Sequence, residues 1–160
     1  MNTAVEHAMY GVSQLFLLPV LLAIALLFAH AFVALGAFLV QAWQRRRGHP
    51  AGFELRQEQA RTPGLSTAGL ELLALRRLER VRVATRVAPM LGLVATMIPM
   101  GPALQALSSG QMTEVGRALG VAFSAVILAL LAAAITYAIG QVRRRWYAAE
   151  LIALQPQEAA

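Results

Sequence analysis

With 58% hydrophobic and only 14% charged residues in a chain of 160, the composition lies far from that of a soluble domain, and so short a chain could bury only a small soluble core. The absence of cysteine excludes disulfides, thiol catalysis and thiolate metal sites. The net charge of +6 rests on arginine alone, nearly all of it just beyond the ends of apolar runs, where it orients a chain in a bilayer; nucleic-acid binding is the weaker explanation.

The first apolar run, about residues 15–40, exceeds the roughly 20 residues needed to cross the hydrocarbon and closes on Trp43 and Arg45-Arg46-Arg47. It is too long for a signal-peptide core and no positive segment precedes it, so it is expected to be retained. His30 is the one ionisable side chain well inside any of the runs, and therefore a functional candidate by default. From Arg45 to Thr67 the composition turns to Gly, Pro, Gln and charge, with His49-Pro50 and Pro63-Gly64 as breakers, which predicts a surface loop. From Thr67 the spacing of Leu70, Leu73, Leu78 and Val81 among charged residues predicts an amphipathic helix running directly into a second span at about 87–107.

Within that second span the segment APMLGLVATMIPMG, Ala88 to Gly101, places a lone hydroxyl and freed carbonyls in apolar surroundings. On the helical period Pro89, Gly92, Thr96, Pro99 and Ala103 share one narrow face. Pro99 gives no amide to the carbonyl of Ala95 and Pro102 gives none to that of Ile98, so acceptors flank Thr96. Such groups persist only beside protein or water. The link SSGQMTEVG, Ser108 to Gly116, is too short for anything but a tight antiparallel hairpin into a third span at about 118–139. That span closes on Arg143-Arg144-Arg145-Trp146-Tyr147 and is expected to continue as a helix toward Leu154. Ten arginines lie between the first and second spans, while the N-terminal segment and the link have none, so the N-terminus is expected outside and the C-terminus in the cytoplasm. The expected fold is all-α and integral to the membrane: a single domain, residues 1–160, of three transmembrane helices, a cytoplasmic loop and helix at 44–86, and a cytoplasmic helix and tail at 140–160.

One N-out helix, a basic cytoplasmic segment and a hairpin whose second span begins A-P-x-L-G-L-x-x-T resemble the MotA/TolQ/ExbB proton channel family, and most the three-span ExbB/TolQ branch. Ala88, Pro89, Leu91, Gly92, Leu93 and Thr96 fall on that family's A-P-x-x-G-L-x-G-T segment, with Ala95 in place of glycine and Pro99 where a second glycine is common. Arg117-Ala118-Leu119 resembles the family's E-A-L without its carboxylate; strict spacing puts the following threonine on Ala122, with Ser124 two residues on. The short cytoplasmic segment, ATMIPMGPAL and the R-R-W-Y ending resemble small members associated with cobaltochelatase-like proteins in metal or tetrapyrrole uptake.

The resemblance implies a homopentamer in the bacterial inner membrane, a pore lined by the second and third spans, and an ExbD/TolR-like single-span partner carrying an essential Asp. It places Thr96, Ser124, Pro89, Gly92 and Pro99 along the proton path. Independently, the chain has no Asp, and all eight of its Glu residues lie outside the three spans, so the titrating carboxylate of a membrane relay must come from elsewhere.

Each of these residues also has a packing interpretation. Thr96 can bond its own i−4 carbonyl, that of Gly92. Gly116, Gly120 and Ser124, continued loosely through Ala132, Thr136 and Gly140, form a small-residue ridge of the kind that packs membrane helices closely. His30 can be a neutral imidazole bonded to a neighbouring helix, and Glu114 a solvated turn carboxylate. The arginine clusters suit anionic lipids. His7, His30 and His49 are scattered and have no metal-ligand spacing, and there is neither a P-loop nor a GxGxxG, so no enzyme, cofactor or metal is expected. The competing functional reading is a non-conducting three-span scaffold of a transport or chelatase complex.

Overall fold

The computed structural model describes residues 2–62 and 66–154, and their side chains except those of residues 2–7 and 10. The Pro63-Gly64 breaker, the tail with Glu158, and the side chains of Glu6 and His7 lie outside the described residues. The elements are α1 (Asn2–Arg46), a 3-10 turn (Pro50–Gly52), α2 (Glu54–Arg61), α3 (Thr67–Ser108) and α4 (Met112–Leu154), with no strand among the described residues. Three of these helices are long and apolar enough to cross a membrane. At 42 residues α3 is about 63 Å long, roughly twice the hydrocarbon thickness, so a single helix serves both as span and as extension beyond it.

The helix ends follow from local chemistry. Gly48 and Gly110 sit at φ 68° and 77°, the left-handed region that glycine enters without cost. Behind each, paired amide bonds close the last turn: His49 to Gln44 O and Gly48 to Arg45 O after α1, Gln111 to Ala106 O and Gly110 to Leu107 O after α3. Ser66 caps α3 by accepting the Gly69 amide at 3.3 Å. The hairpin link is tighter than the Ser108–Gly116 segment suggests, because α4 is already helical at Met112.

The surface-loop expectation for Arg45 to Thr67 is corrected. α2 and the 3-10 turn occupy its middle, and Leu55 is fully buried. A helix of eight residues is too short to be stable alone, and α2 depends on what it docks against.

The chain divides into two compact units, Met1–His30 with Arg86–Ala133, and Ala31–Thr85 with Ala134–Ala160. In the first, Val20 and Ile24 of α1 pack with Ala95 of α3 and with Ala125 and Ala129 of α4. Alanine dominates because small residues let membrane helices approach where no hydrophobic effect draws them together. Gly92 carries this to its limit: a Cβ there would lie 3.0 Å from that of Ala129.

In the second unit, Leu55 packs with Ala74 and Tyr147. Gly52 lies so close to α1 that an added Cβ would fall 2.8 Å from the Arg45 backbone nitrogen, a contact only glycine permits. Two carboxylates then tie α2 down. Glu54 accepts from Gln41 at 2.9 Å, Arg77 at 2.8 Å and Tyr147 at 2.6 Å, one donor from each long helix. Glu150, 2% exposed, accepts from the Arg45 guanidinium and from the Leu55 amide.

Candidate functional site

The narrow face drawn through Pro89, Gly92, Thr96, Pro99 and Ala103 divides in the folded chain. Gly92, Pro99 and Ala103 are buried and Pro89 is half-buried, with Gly92 set against Val126 and Ala129 of α4. Thr96 is half-buried, and its hydroxyl, at an exposed position, donates to the Leu93 carbonyl at 2.7 Å. The acceptor is therefore the i−3 carbonyl and not that of Gly92. Ser124 is exposed and donates to the Gly120 carbonyl at 2.8 Å. Each hydroxyl keeps two lone pairs, so each can accept a proton donor from outside the chain, and rotation would free its own donor.

One of the two proline-freed acceptors is answered from a residue that sequence reasoning passed over. Gln14 of α1 reaches the Ile98 carbonyl at 3.4 Å, a long bond, through its side-chain amide. The signal available was a lone amide at the start of a membrane-length apolar run.

Among the described residues nothing packs onto Gly116 or Gly120, and Ser124 is exposed. Cβ atoms added at either glycine would meet nothing within 4 Å, and together with Leu21, Ile24 and Leu128 these residues line an open groove of about 480 Å³ between α1 and α4. The lower ridge behaves differently. In the second unit Thr136 is 3% exposed and its hydroxyl lies 3.1 Å from that of Thr85, which donates to the Val81 carbonyl at 2.9 Å. Gly140 lies against Val81, 3.2 Å from where its Cβ would be. Thr85 was another residue the sequence pattern did not single out. Ala122, where strict spacing puts the family threonine, is 3% exposed.

His30 is exposed on α1, and Glu114 is exposed in the first turn of α4. Glu54, Glu58 and Glu150 are all engaged in ion pairs beyond the apolar runs. Among the described residues no three of His, Cys, Asp or Glu gather as a metal cluster would.

A helical hairpin of this kind, with A-P-x-L-G-L opening its first apolar run and a hydroxyl at Thr96, is matched by a known sequence profile over residues 65–155. The chain belongs to the MotA/TolQ/ExbB proton channel family. The match covers α3 and α4 entirely and leaves out α1 and α2. No match was found among curated proteins or among solved structures. This MotA/TolQ/ExbB family member is accordingly a membrane protein of proton-channel type.

Tyr147 and Arg77 belong to the ion-pair network beyond the spans. Burial pushes the Tyr147 phenol up to about 12, helped by the hydrogen bond and charge of Glu54 and opposed by Arg143 and Arg77. Burial works against the Arg77 cation, but Glu54 and Tyr147 together outweigh it and hold the guanidinium above its ordinary value. This cluster braces α2.

Proposed function

We propose that this chain is the channel-forming subunit of a bacterial inner-membrane complex that couples the proton-motive force to transport, with a metal or tetrapyrrole as cargo. Five copies would surround the membrane helix of an ExbD/TolR-like partner, α3 and α4 facing it, with the N-terminus in the periplasm and the C-terminus in the cytoplasm. The observation that carries this reading is the family match across α3 and α4, in a chain whose apolar runs contain no carboxylate. An Asp on the partner would supply the titrating acid, and Thr96 and Ser124 the hydroxyls along its path. Protonated, that Asp would donate to a hydroxyl lone pair; ionised, it would accept from a hydroxyl turned off its own helix. Pro89, Gly92 and Pro99 shape the path from behind: Gly92 holds α3 against α4, and the prolines free carbonyls that can hold water.

The experiment is gradient-driven proton uptake in liposomes containing the chain and its partner. Thr96→Val nearly preserves size and removes a membrane hydrogen bond worth about 1 kcal/mol, so assembly survives while uptake falls severely. Thr96→Ser retains much of the activity. Uptake equal to wild type in Thr96→Val, with the partner's Asp→Asn inactive, would make Thr96 a packing residue.

The second reading, a non-conducting scaffold, draws on Ala95 and Pro99 where the family has glycines and on Arg117 where it has a carboxylate. It is favoured if the wild-type complex assembles but takes up no protons.

A further inference from the structure

Both tryptophans of the chain line one groove, of about 810 Å³, in the second unit. Its walls are the end of α1, Phe53, and the stretch of α4 from Val142 to Ala149. Along α1 it runs from Phe38 and Leu39, inside the apolar run, to Arg45 and Arg46 beyond it, about 10 Å of rise. One end is therefore apolar and the other cationic.

Among the described residues only part of the cationic end is neutralised. Arg45 is committed: its guanidinium pairs with Glu150 and lies between the rings of Phe53 and Trp146, 4.7 Å and 4.6 Å from their centres. Phe38 stacks on the other part of this wall, 5.2 Å from Trp146. Arg46 lines the groove, is exposed, and has no carboxylate within ion-pairing distance among the described residues. Arg47 is stacked on Trp43, 3.8 Å from the ring centre, which holds a second positive charge close by.

We infer that this groove is a binding site for an anionic phospholipid, its phosphate on Arg46 and its acyl chain along Phe38, Leu39 and Ala42. A soluble anion would leave the apolar length empty, and a zwitterionic lipid would bring a cation along with its phosphate and leave the net charge unbalanced. The volume lies within the ~300–1,000 Å³ typical of ligand sites. Tryptophan and arginine at the end of an apolar run put the groove at headgroup depth. The inference needs only that the apolar runs cross a bilayer, so it stands or falls separately from proton conduction.

Because both tryptophans line the groove, their fluorescence reports on it. The full chain is reconstituted in zwitterionic vesicles containing the same small fraction of a lipid with brominated acyl chains, either phosphatidylglycerol or phosphatidylcholine. The anionic lipid is expected to occupy the groove about fivefold better, the effect of about one basic residue beside an anionic headgroup, and to quench correspondingly more. Arg46→Gln should abolish the preference and Arg46→Lys restore it. Arg80→Gln, the same charge change at an exposed position elsewhere, should leave it intact. Equal quenching by the two lipids, equal loss in Arg46→Gln and Arg80→Gln, or no quenching by either would each overturn the site.

Discussion

At the scale of single residues, polar atoms are satisfied in two ways. Thr96 and Ser124 spend their hydroxyl protons on their own helices, on Leu93 and Gly120. Around α2 polar groups are satisfied across elements, and Tyr147 shows the strength of the arrangement. Its phenol donates to Glu54 and is pushed up to about 12 by burial first and by that carboxylate second. The folded value lies above the ordinary 10, so the contribution to stability is complete below about pH 10 and is lost as pH rises through about 12. Tyr147→Phe is expected to lower thermal stability at neutral pH, by about 1.5–3 kcal/mol for a hydrogen bond to a charged group. The gap to wild type should stay constant up to about pH 10 and close toward about pH 12, as measured by thermal melts across that range. A gap that does not change with pH would remove the phenol–carboxylate bond as its cause. The hydrogen bond could not be read from the sequence, because Glu54 and Tyr147 are 93 positions apart and each resembles an ordinary charged or interfacial side chain.

At the scale of elements, the two sets of glycines have opposite roles. Gly92 sits where α3 and α4 touch, and the neighbour a Cβ would meet, at 3.0 Å, is another short side chain, that of Ala129, which cannot swing away. Gly92→Leu should therefore destabilise the isolated chain by several kcal/mol through overpacking, read as a lowered melting temperature in detergent. Gly120 meets nothing within 4 Å, so Gly120→Leu should leave the stability of the isolated chain within about 0.5 kcal/mol of wild type and instead weaken the oligomer, read as subunit count by native mass spectrometry. Unchanged assembly in Gly120→Leu would mean that the open groove beside it faces lipid. Periodicity put Gly92 on a face expected to line the proton path and Gly120 on a ridge expected to pack. It reports which residues share a face, but not whether the face is covered by the chain itself or left for another molecule.

At the scale of the whole molecule, much of the apolar surface is left for others to cover: only 17% of the most apolar window of α1, and 28% of those of α3 and α4, is buried within the chain. Lipid or other protein must take the remainder. The orientation proposed from arginine placement predicts that a cysteine at Ser109 reacts with an impermeant reagent from the periplasm and that one at Ser66 does not. Both positions are exposed, so access will not limit the result. Labelling of Ser66 from outside would reverse the topology.

The sequence by itself determined the three apolar helices, the continuity of the amphipathic segment with the second span, and the family, because hydropathy, helical period and A-P-x-L-G-L-x-x-T are local properties of neighbouring residues. Only the tertiary structure decided that Arg45 to Thr67 contains a helix. α2 has little stability of its own and exists through Leu55, Glu54 and the Glu150 carboxylate, contacts made across long stretches of chain. It also decided that Gly92 is buried and Thr96 only half so. Helical period assigned them to one face, and the approach of α4 to α3 at Ala129 divided it.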